Sequence, residues 1–437
     1  MKASIIYMAL AAVALSASAQ EAPSDTILSL EQCEDMAVRY NSSIKNAHNA
    51  EDMAKLTRRE AFTKYFPEIS AAGVGFMANH GMVQYDIDLP MLEQMGIGPI
   101  SMSLMKKGKA AGVQALQPIF MGGQIVNGNR LAELGEAVSE LQRTQTVNEV
   151  RLTTEKYFWQ LATLKNNRLT LLSAIQMLDS LSAQVNVAVE AGITMRNDLL
   201  KVDLKRNEYK STLVDLDNGI KLCRMLLSQY IGANFEKPID IDAIVPDTTP
   251  DTPYDIFVKP IDALYLTVPF QLLQSNVKAK DLAVKMEIGK NMPQVAVGGG
   301  WYYHDLLEQN HNFGALQLVV NVPISGWWGG SYSIKRKRLE LENAKNELTD
   351  NCQLLQLNMQ NKWDEVTATH RKMEIAQQSI AQSAENLRLN KLYYEAGTVT
   401  ITDLLEAQTL YRQALDDYSS SYGNFRSAIA EYKFSIN

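Results

Sequence analysis

Three pairs of landmarks in this chain stand one fixed distance apart. Glu190-Ala191-Gly192 returns as Glu395-Ala396-Gly397, Asp198-Leu199-Leu200 as Asp403-Leu404-Leu405, and Gln117-Pro118-Ile119 as Val322-Pro323-Ile324, each 205 residues later. The span from proline to glutamate is therefore 72 residues in both halves. Agreement of three separate landmarks at one offset identifies an internal duplication. The fold has to be one that the same plan can build twice, over residues 20–232 and again over 261–437.

Each half reads as helix, β-hairpin, long helix, turn, helix. In the first, Leu30 to Lys64 has a helical pattern that stops before Pro67, and strands are expected near 69–79 and 110–120. No proline interrupts the stretch from Gly122 to about Val189. Within it Leu171, Ile175, Leu178, Ser182, Val185 and Val189 step by four and three, a heptad seam with Ser182 as its one polar member. A second helix is expected from about Asn197 to Tyr230. The second half matches with a helix from Ile261 to Lys290, strands near 294–304 and 313–322, a helix from about Ser331 to Tyr394, and a last helix from Thr402 onward. At 1.5 Å per residue, helices of roughly 60–70 residues reach about 90–105 Å, so they have to pack lengthwise against neighbours in a coiled-coil-like wall. Between the halves, 233–260 holds five prolines and reads as an irregular connector.

Composition narrows the function classes. Hydrophobic residues at 46% and charged residues at 21% exclude wholesale disorder. A formal charge of −7 gives no basic footprint for nucleic acid. Lys2, an apolar run from Ile5 to Leu15, and Ala17-Ser18-Ala19 form a cleavable export signal over 1–19, too short to span a bilayer as a helix. Cys33, Cys223 and Cys352 are odd in number and lack metal-ligand spacing. No later segment is apolar enough for a transmembrane helix, so a membrane-embedded form of this chain has to be a barrel.

Around 313–322, Leu316, Leu318, Val320 and Val322 share one face, while Ala315, Gln317 and Asn321 share the other. That alternation suits a barrel wall between lipid and water, with Trp301, Tyr302 and Tyr303 at the interface; a soluble sandwich core with the same alternation is the lesser alternative. Four strands cannot close a barrel, since small ones need about eight. Several copies must contribute if the strands span a membrane, and the arithmetic allows two, three or four.

These landmarks resemble the outer-membrane efflux protein family, typified by the TolC channel-tunnels, over nearly the whole mature length. Leu28-Ser29-Leu30-Glu31-Gln32-Cys33 with Ala37 and Asn41 looks like the family's first helix. Tyr65-Phe66-Pro67-Glu68 looks like its helix-to-strand junction, and Gln117-Pro118-Ile119-Phe120 with Gly122-Gly123 like its strand-to-helix junction. The paired Glu-Ala-Gly turns, each followed by Asp-Leu-Leu, are the most specific match.

The resemblance implies a mainly helical protein with a transmembrane β part, a homotrimer forming a 12-stranded barrel in outer-membrane lipid on an α-helical tunnel into the periplasm. It implies a periplasmic adaptor and an inner-membrane pump as partners, and no cofactor. The turns at Gly192 and Gly397 would lie at the periplasmic entrance. There Tyr394 matches the position whose hydroxyl ties the inner hairpin to an aspartate of the outer one, here Asp198. Asp403 and Glu406 match the acids that ring the constricted bore. Val399 stands where typical members place a bracing arginine, and Arg196 in the other turn is the substitute nearest to hand.

Other features are weaker. Met82, Met91, Met95, Met102 and Met105 crowd the segment between the first two strands; thioethers can hold Cu(I), but an external loop with apolar contacts is the plainer reading. His48, His80, His304, His311 and His370 form no metal-binding helix pair. Gly298-Gly299-Gly300 sits inside a strand pattern and opens no helix, so it cradles no phosphate. No catalytic constellation is present. Three functions stand: a duct for small molecules served by a resistance-nodulation-division pump, the duct of a type I protein secretion system, and a periplasmic coiled-coil scaffold without a pore.

Overall fold

The computed structural model describes residues 27–80, 82–87, 100–305, 310–324 and 326–437. The export signal expected over 1–19 lies outside these residues, as do Met91 and Met95. In chain order the elements are β1 (Ile27–Leu28), α1 (Leu30–Tyr40), α2 (Ser42–Thr63), β2 (Glu68–Met77), β3 (Val83–Ile87), β4 (Ile100–Leu104), β5 (Lys107–Phe120), α3 (Gln124–Glu190) and α4 (Arg196–Tyr230). Then follow β6 (Asp240–Ile241), α5 (Pro260–Leu264), α6 (Val268–Lys290), β7 (Gln294–Asp305), β8 (Asn310–Asn321), α7 (Gly326–Glu395) and α8 (Ile401–Ile436). The chain forms two compact units. Of the described residues, one holds those of 27–46, 144–267 and 355–437; the other holds those within 47–143 and 268–354.

Two helices expected to be continuous are broken. Ser29 and Gln32 close a reciprocal capping box that starts α1. The helix stops at Asn41, short of the expected Lys64. The Asn41 carboxamide oxygen accepts the Ser43 N–H at 2.8 Å to open α2, while its amide donates to the Tyr230 carbonyl at 2.9 Å. An asparagine able to cap one helix and hold another competes with helix continuation. The stretch expected as one helix from Ile261 likewise divides into α5 and α6 around Thr267, whose buried hydroxyl donates to the Leu264 carbonyl at 2.8 Å.

In the unit containing 47–143 and 268–354, four strands form an antiparallel sheet in the order β2-β5-β7-β8. Pro118 lies within β5, and the register shifts beside it, with Pro118 facing Ala296 and Phe120 facing Val295. A residue that cannot donate to the ladder is accommodated by that bulge. Gly122 follows at φ 60°, and a Cβ there would meet the Gly289 carbonyl oxygen at 2.1 Å, so backbone contact with α6 excludes any side chain. β8 is exposed along its whole length on both faces, Leu316 at 91% and Leu318 at 66%. No second sheet covers it among the described residues, so it does not form the core of a sandwich. The methionine-bearing segment expected as a loop carries a hairpin of its own, β3 paired with β4 from Val83↔Leu104 to Ile87↔Ile100.

The other unit is helical, with two apolar clusters. One gathers Cys33, Phe158, Leu227, Trp363, Tyr418 and Phe425 with their neighbours. The second joins Leu171, Ile175, Leu178 and Val185 of α3 to Val202 and Tyr209 of α4 and to Ile401, Leu404 and Leu405 of α8. The seam serine, Ser182, donates to the Asp203 carboxylate at 2.9 Å, which satisfies its hydroxyl. The connector contains β6, paired in parallel with β1, and a single 3-10 turn. Its remaining backbone is tied down by helix side chains. Tyr418 donates to the Pro246 carbonyl, Gln377 to that of Asp247, and Arg224 to that of Ile239. Such bonds let a proline-rich strand without ladder partners lie against helices.

Candidate functional site

The two turns that stand 205 residues apart are the tips of helical hairpins in the helical unit, α3–α4 and α7–α8. They share one backbone solution. Gly192 and Gly397 end their helices at φ 74° and 71°. Ile193 N–H reaches back to the Ala188 carbonyl at 2.8 Å, and Thr398 N–H to the Tyr393 carbonyl at 2.9 Å, so the last helical carbonyls find donors. A Cβ at either glycine would meet nothing within 4 Å. Backbone conformation, not crowding, requires glycine at both places.

The first residues of the following helices differ. In α8, Thr400 is the N-cap: its hydroxyl donates to Asp403 at 2.7 Å, and its N–H donates to the same carboxylate at 2.8 Å. The Thr400 hydroxyl and then the Thr400 N–H hold the Asp403 carboxyl below the usual aspartate value. In α4 the N-cap is Met195, which offers no side-chain bond. There Thr194 donates to Asp198 at 2.9 Å, and Lys201 lies 3.4 Å from the other Asp198 oxygen.

Lys201 also donates to Thr402 at 3.2 Å, so one ammonium joins the first hairpin to the second. Two turns on, the Tyr209 hydroxyl meets Thr409 at 3.2 Å, with the Arg412 guanidinium 5.1 Å from the same ring. Successive ties at 201–402 and 209–409 show α4 and α8 running in the same direction. Gln408, buried in the seam, donates to the Ala174 carbonyl at 3.0 Å and closes this contact onto α3.

The residues read from sequence divide among these positions. Tyr394 packs partly buried against the second cluster, and burial first, then the Asp198 charge, push its phenol up, but among the described residues no hydrogen bond joins its hydroxyl to Asp198 as the resemblance implied. Asp198 takes its hydrogen bonds from Thr194 and Lys201. Asp403 serves as the partner in the capping box, and Glu406 lies exposed one turn later on the same face. Arg196 is exposed in the first turn of α4, while Val399 is half-buried before the Thr400 cap. Sequence reasoning missed Lys201. Its signal was available, because the 205-residue offset superposes Lys201 on Glu406. The same helical position is thus an ion-pair partner in one hairpin and, in the other, an acid with no ion pair among the described residues.

Among the described residues, no group of three or more His, Cys, Asp and Glu side chains could hold a metal ion, and no helix is long and apolar enough to cross a membrane. The site is therefore a set of helix ends, one seam of polar ties, and an acidic exposed face on α8.

No family model matches this sequence, and no curated relative does. Solved structures do match in fold. CusC, described for conformational changes accompanying folding and transmembrane channel formation, aligns with a TM-score of 0.78 at 10% identity, over 93% of this chain and 92% of that one. The Campylobacter jejuni CmeC outer membrane channel aligns at 0.77 and 13% identity, over 93% and 85%. The outer membrane protein VceC from Vibrio cholerae aligns at 0.75 and 12% identity, over 93% and 95%. The chain has the channel-tunnel fold of these proteins.

Proposed function

We propose that a chain with this channel-tunnel fold is the outer-membrane duct of a tripartite efflux system, a passive conduit and not an enzyme. The observation that carries the reading is the sheet. Its outer strands β2 and β8 have no further partner in the described chain, and β8 exposes Leu316, Leu318 and Val320 at 56–91%. Unpaired edges and exposed apolar rows are costly in water, and closure with other copies inside lipid removes both. Three copies would supply twelve strands, the number that the family resemblance implies.

The reading extends to the hairpins. The tips at Gly192 and Gly397 form the periplasmic entrance, where an adaptor docks, and a resistance-nodulation-division pump in the inner membrane supplies the work. Lys201 ties the two hairpins of one subunit together through Thr402, with Tyr394 packed beside Asp198. Asp403 and Glu406 of three subunits make stacked acidic rings in the bore, favouring cations. The duplication supports this role for them: the first hairpin neutralises Asp198 with Lys201, whereas the second leaves Glu406 without an ion-pair partner among the described residues.

Conductance in planar bilayers tests the whole. Purified wild type should give small, cation-preferring channels, and Tyr394→Phe combined with Lys201→Met should raise conductance several-fold. A protein that crosslinks only as a water-soluble single chain and gives no channels, even with both substitutions, ends the duct reading.

A further inference from the structure

The four helix–strand junctions lie at one end of the sheet, since Glu68 faces Leu116, Phe120 faces Val295 and Gln294 faces Asn321. Residues 55–68, 120–131, 285–294 and 326–340 together carry eleven Lys and Arg against four acids, in a chain whose net charge is −7. The densest part is the start of α7, five residues beyond β8. Trp328, Tyr332, Lys335 and Leu339 recur at helical spacing on one face, with Arg336 and Arg338 flanking it. Trp328 is 77% exposed, Tyr332 74% and Leu339 59%. Nothing in the helical packing consumes this stripe. Lys337 alone turns inward, 2.9 Å from Glu340; Arg336 only reaches the same carboxylate at 4.0 Å, and Lys335 and Arg338 make no ion pair among the described residues.

We infer that this aromatic and basic stripe of α7 docks onto anionic phospholipid headgroups of the leaflet that borders the helical end of the sheet. The inference rests on the sheet spanning the membrane. Continuity places the stripe: a strand that ends at Asn321 puts Trp328 and Tyr332 at headgroup depth, where amphipathic rings are favoured. Helical side chains lean toward the helix N-terminus, so Lys335, Arg336 and Arg338 lean back toward the sheet and can reach phosphates while their stems stay on apolar surface. The copy that the proposed barrel pairs to β8 through its β2 brings up the end of α2, where exposed Arg59 and Lys64 outnumber Glu60 and leave the stripe without a counter-charge. Phosphates satisfy both basic surfaces.

The full chain, purified as its oligomer in neutral detergent, is titrated with phosphatidylglycerol or phosphatidylcholine, and bound lipid is counted by mass spectrometry. Wild type should retain phosphatidylglycerol preferentially. Lys335→Gln, Arg336→Gln and Arg338→Gln together should weaken that retention on the order of 100-fold at low ionic strength, given about fivefold per cation at a membrane surface. Trp328→Ala with Tyr332→Ala should weaken both lipids alike. Unchanged phosphatidylglycerol retention in the triple variant, equal retention of the two lipids by wild type, or displacement by equimolar inorganic phosphate each overturns the inference. Dissociation of the triple variant into single chains also overturns it, by assigning the face to a second copy. Bilayer conductance of the same preparations separates the two levels: a conducting wild type with any of these results sinks the lipid site alone, and a wild type without channels sinks the duct on which it rests.

Discussion

The two hairpin tips have the same backbone and opposite chemistry. Both leave a long helix through a glycine at φ near 70° and both satisfy the last carbonyls with reaching-back N–H groups. Beyond that they part. The first tip presents Ile193 and Met195, 81% and 74% exposed, before an uncapped helix, and it pairs its aspartate with Lys201. The second presents threonines around a half-buried Val399, caps its helix with Thr400, and sets Glu406 where the first has lysine. The two tips share what backbone geometry demands and differ in what surface chemistry allows. On the proposed duct reading, the apolar, neutralised tip is the one to meet a partner and the polar, acidic one to face the bore.

The strongest test of the shared backbone is Gly192→Val against Gly397→Val. A β-branched residue at positive φ should cost about 2 kcal/mol at each site, with no steric contribution, so the two melting temperatures should fall together. A tip that accepts valine without loss would show that the two turns are not equivalent in solution.

Capping should separate the tips next. Thr400→Ala removes the capping box and should cost about 1 kcal/mol, whereas Met195→Ala should leave stability nearly unchanged and Met195→Thr should raise it. The Asp403 carboxyl is depressed by its Thr400 bonds, so its contribution is full above the unfolded aspartate value near ~4 and is lost as pH falls through the lower folded value. Asp403→Asn should therefore flatten acid destabilisation in that window. Melting curves from pH 6 to pH 3 decide both points, and a melt of Thr400→Ala identical to wild type would remove the contrast.

Exchanging the charges at the superposed positions gives the smallest change in energy. The Lys201–Asp198 pair is partly exposed, so Lys201→Met should cost only about 0.5 kcal/mol of stability. Cation preference is the sharper readout. Glu406→Lys should lower it roughly threefold, while Lys201→Glu should leave it unchanged or raise it, measured as reversal potential in asymmetric salt. Equal effects from the two swaps would mean that the hairpins do not differ in what they face.

Much of this could be read from residues alone because the relevant forces are local. Glycine at positive φ, proline at a strand bulge and the seam Leu171, Ile175, Leu178, Ser182 and Val185 are each fixed by the conformational and packing limits of a few neighbours. The Thr400-x-x-Asp403 box is equally local. The fold then placed the acids of the two tips in settings that no local pattern reveals. Lys201 looks like any solvated helix lysine until α4 and α8 are seen to run alongside each other, which puts its ammonium between Asp198 and Thr402. Likewise the helix from Leu30 gave no sign of its break, because Asn41 needs the Tyr230 carbonyl, 189 residues away, to make capping preferable to continuation.

By itself, then, the sequence determined the repeat, the turns and the helical faces, since periodicity and backbone strain are properties of neighbouring residues. Only the tertiary structure decided which polar side chains meet across hairpins, how the proline-rich connector satisfies its carbonyls, and that β8 stays bare on both faces. Those outcomes depend on groups far apart in the chain, whose partners are set by packing and by which buried donors and acceptors still need one.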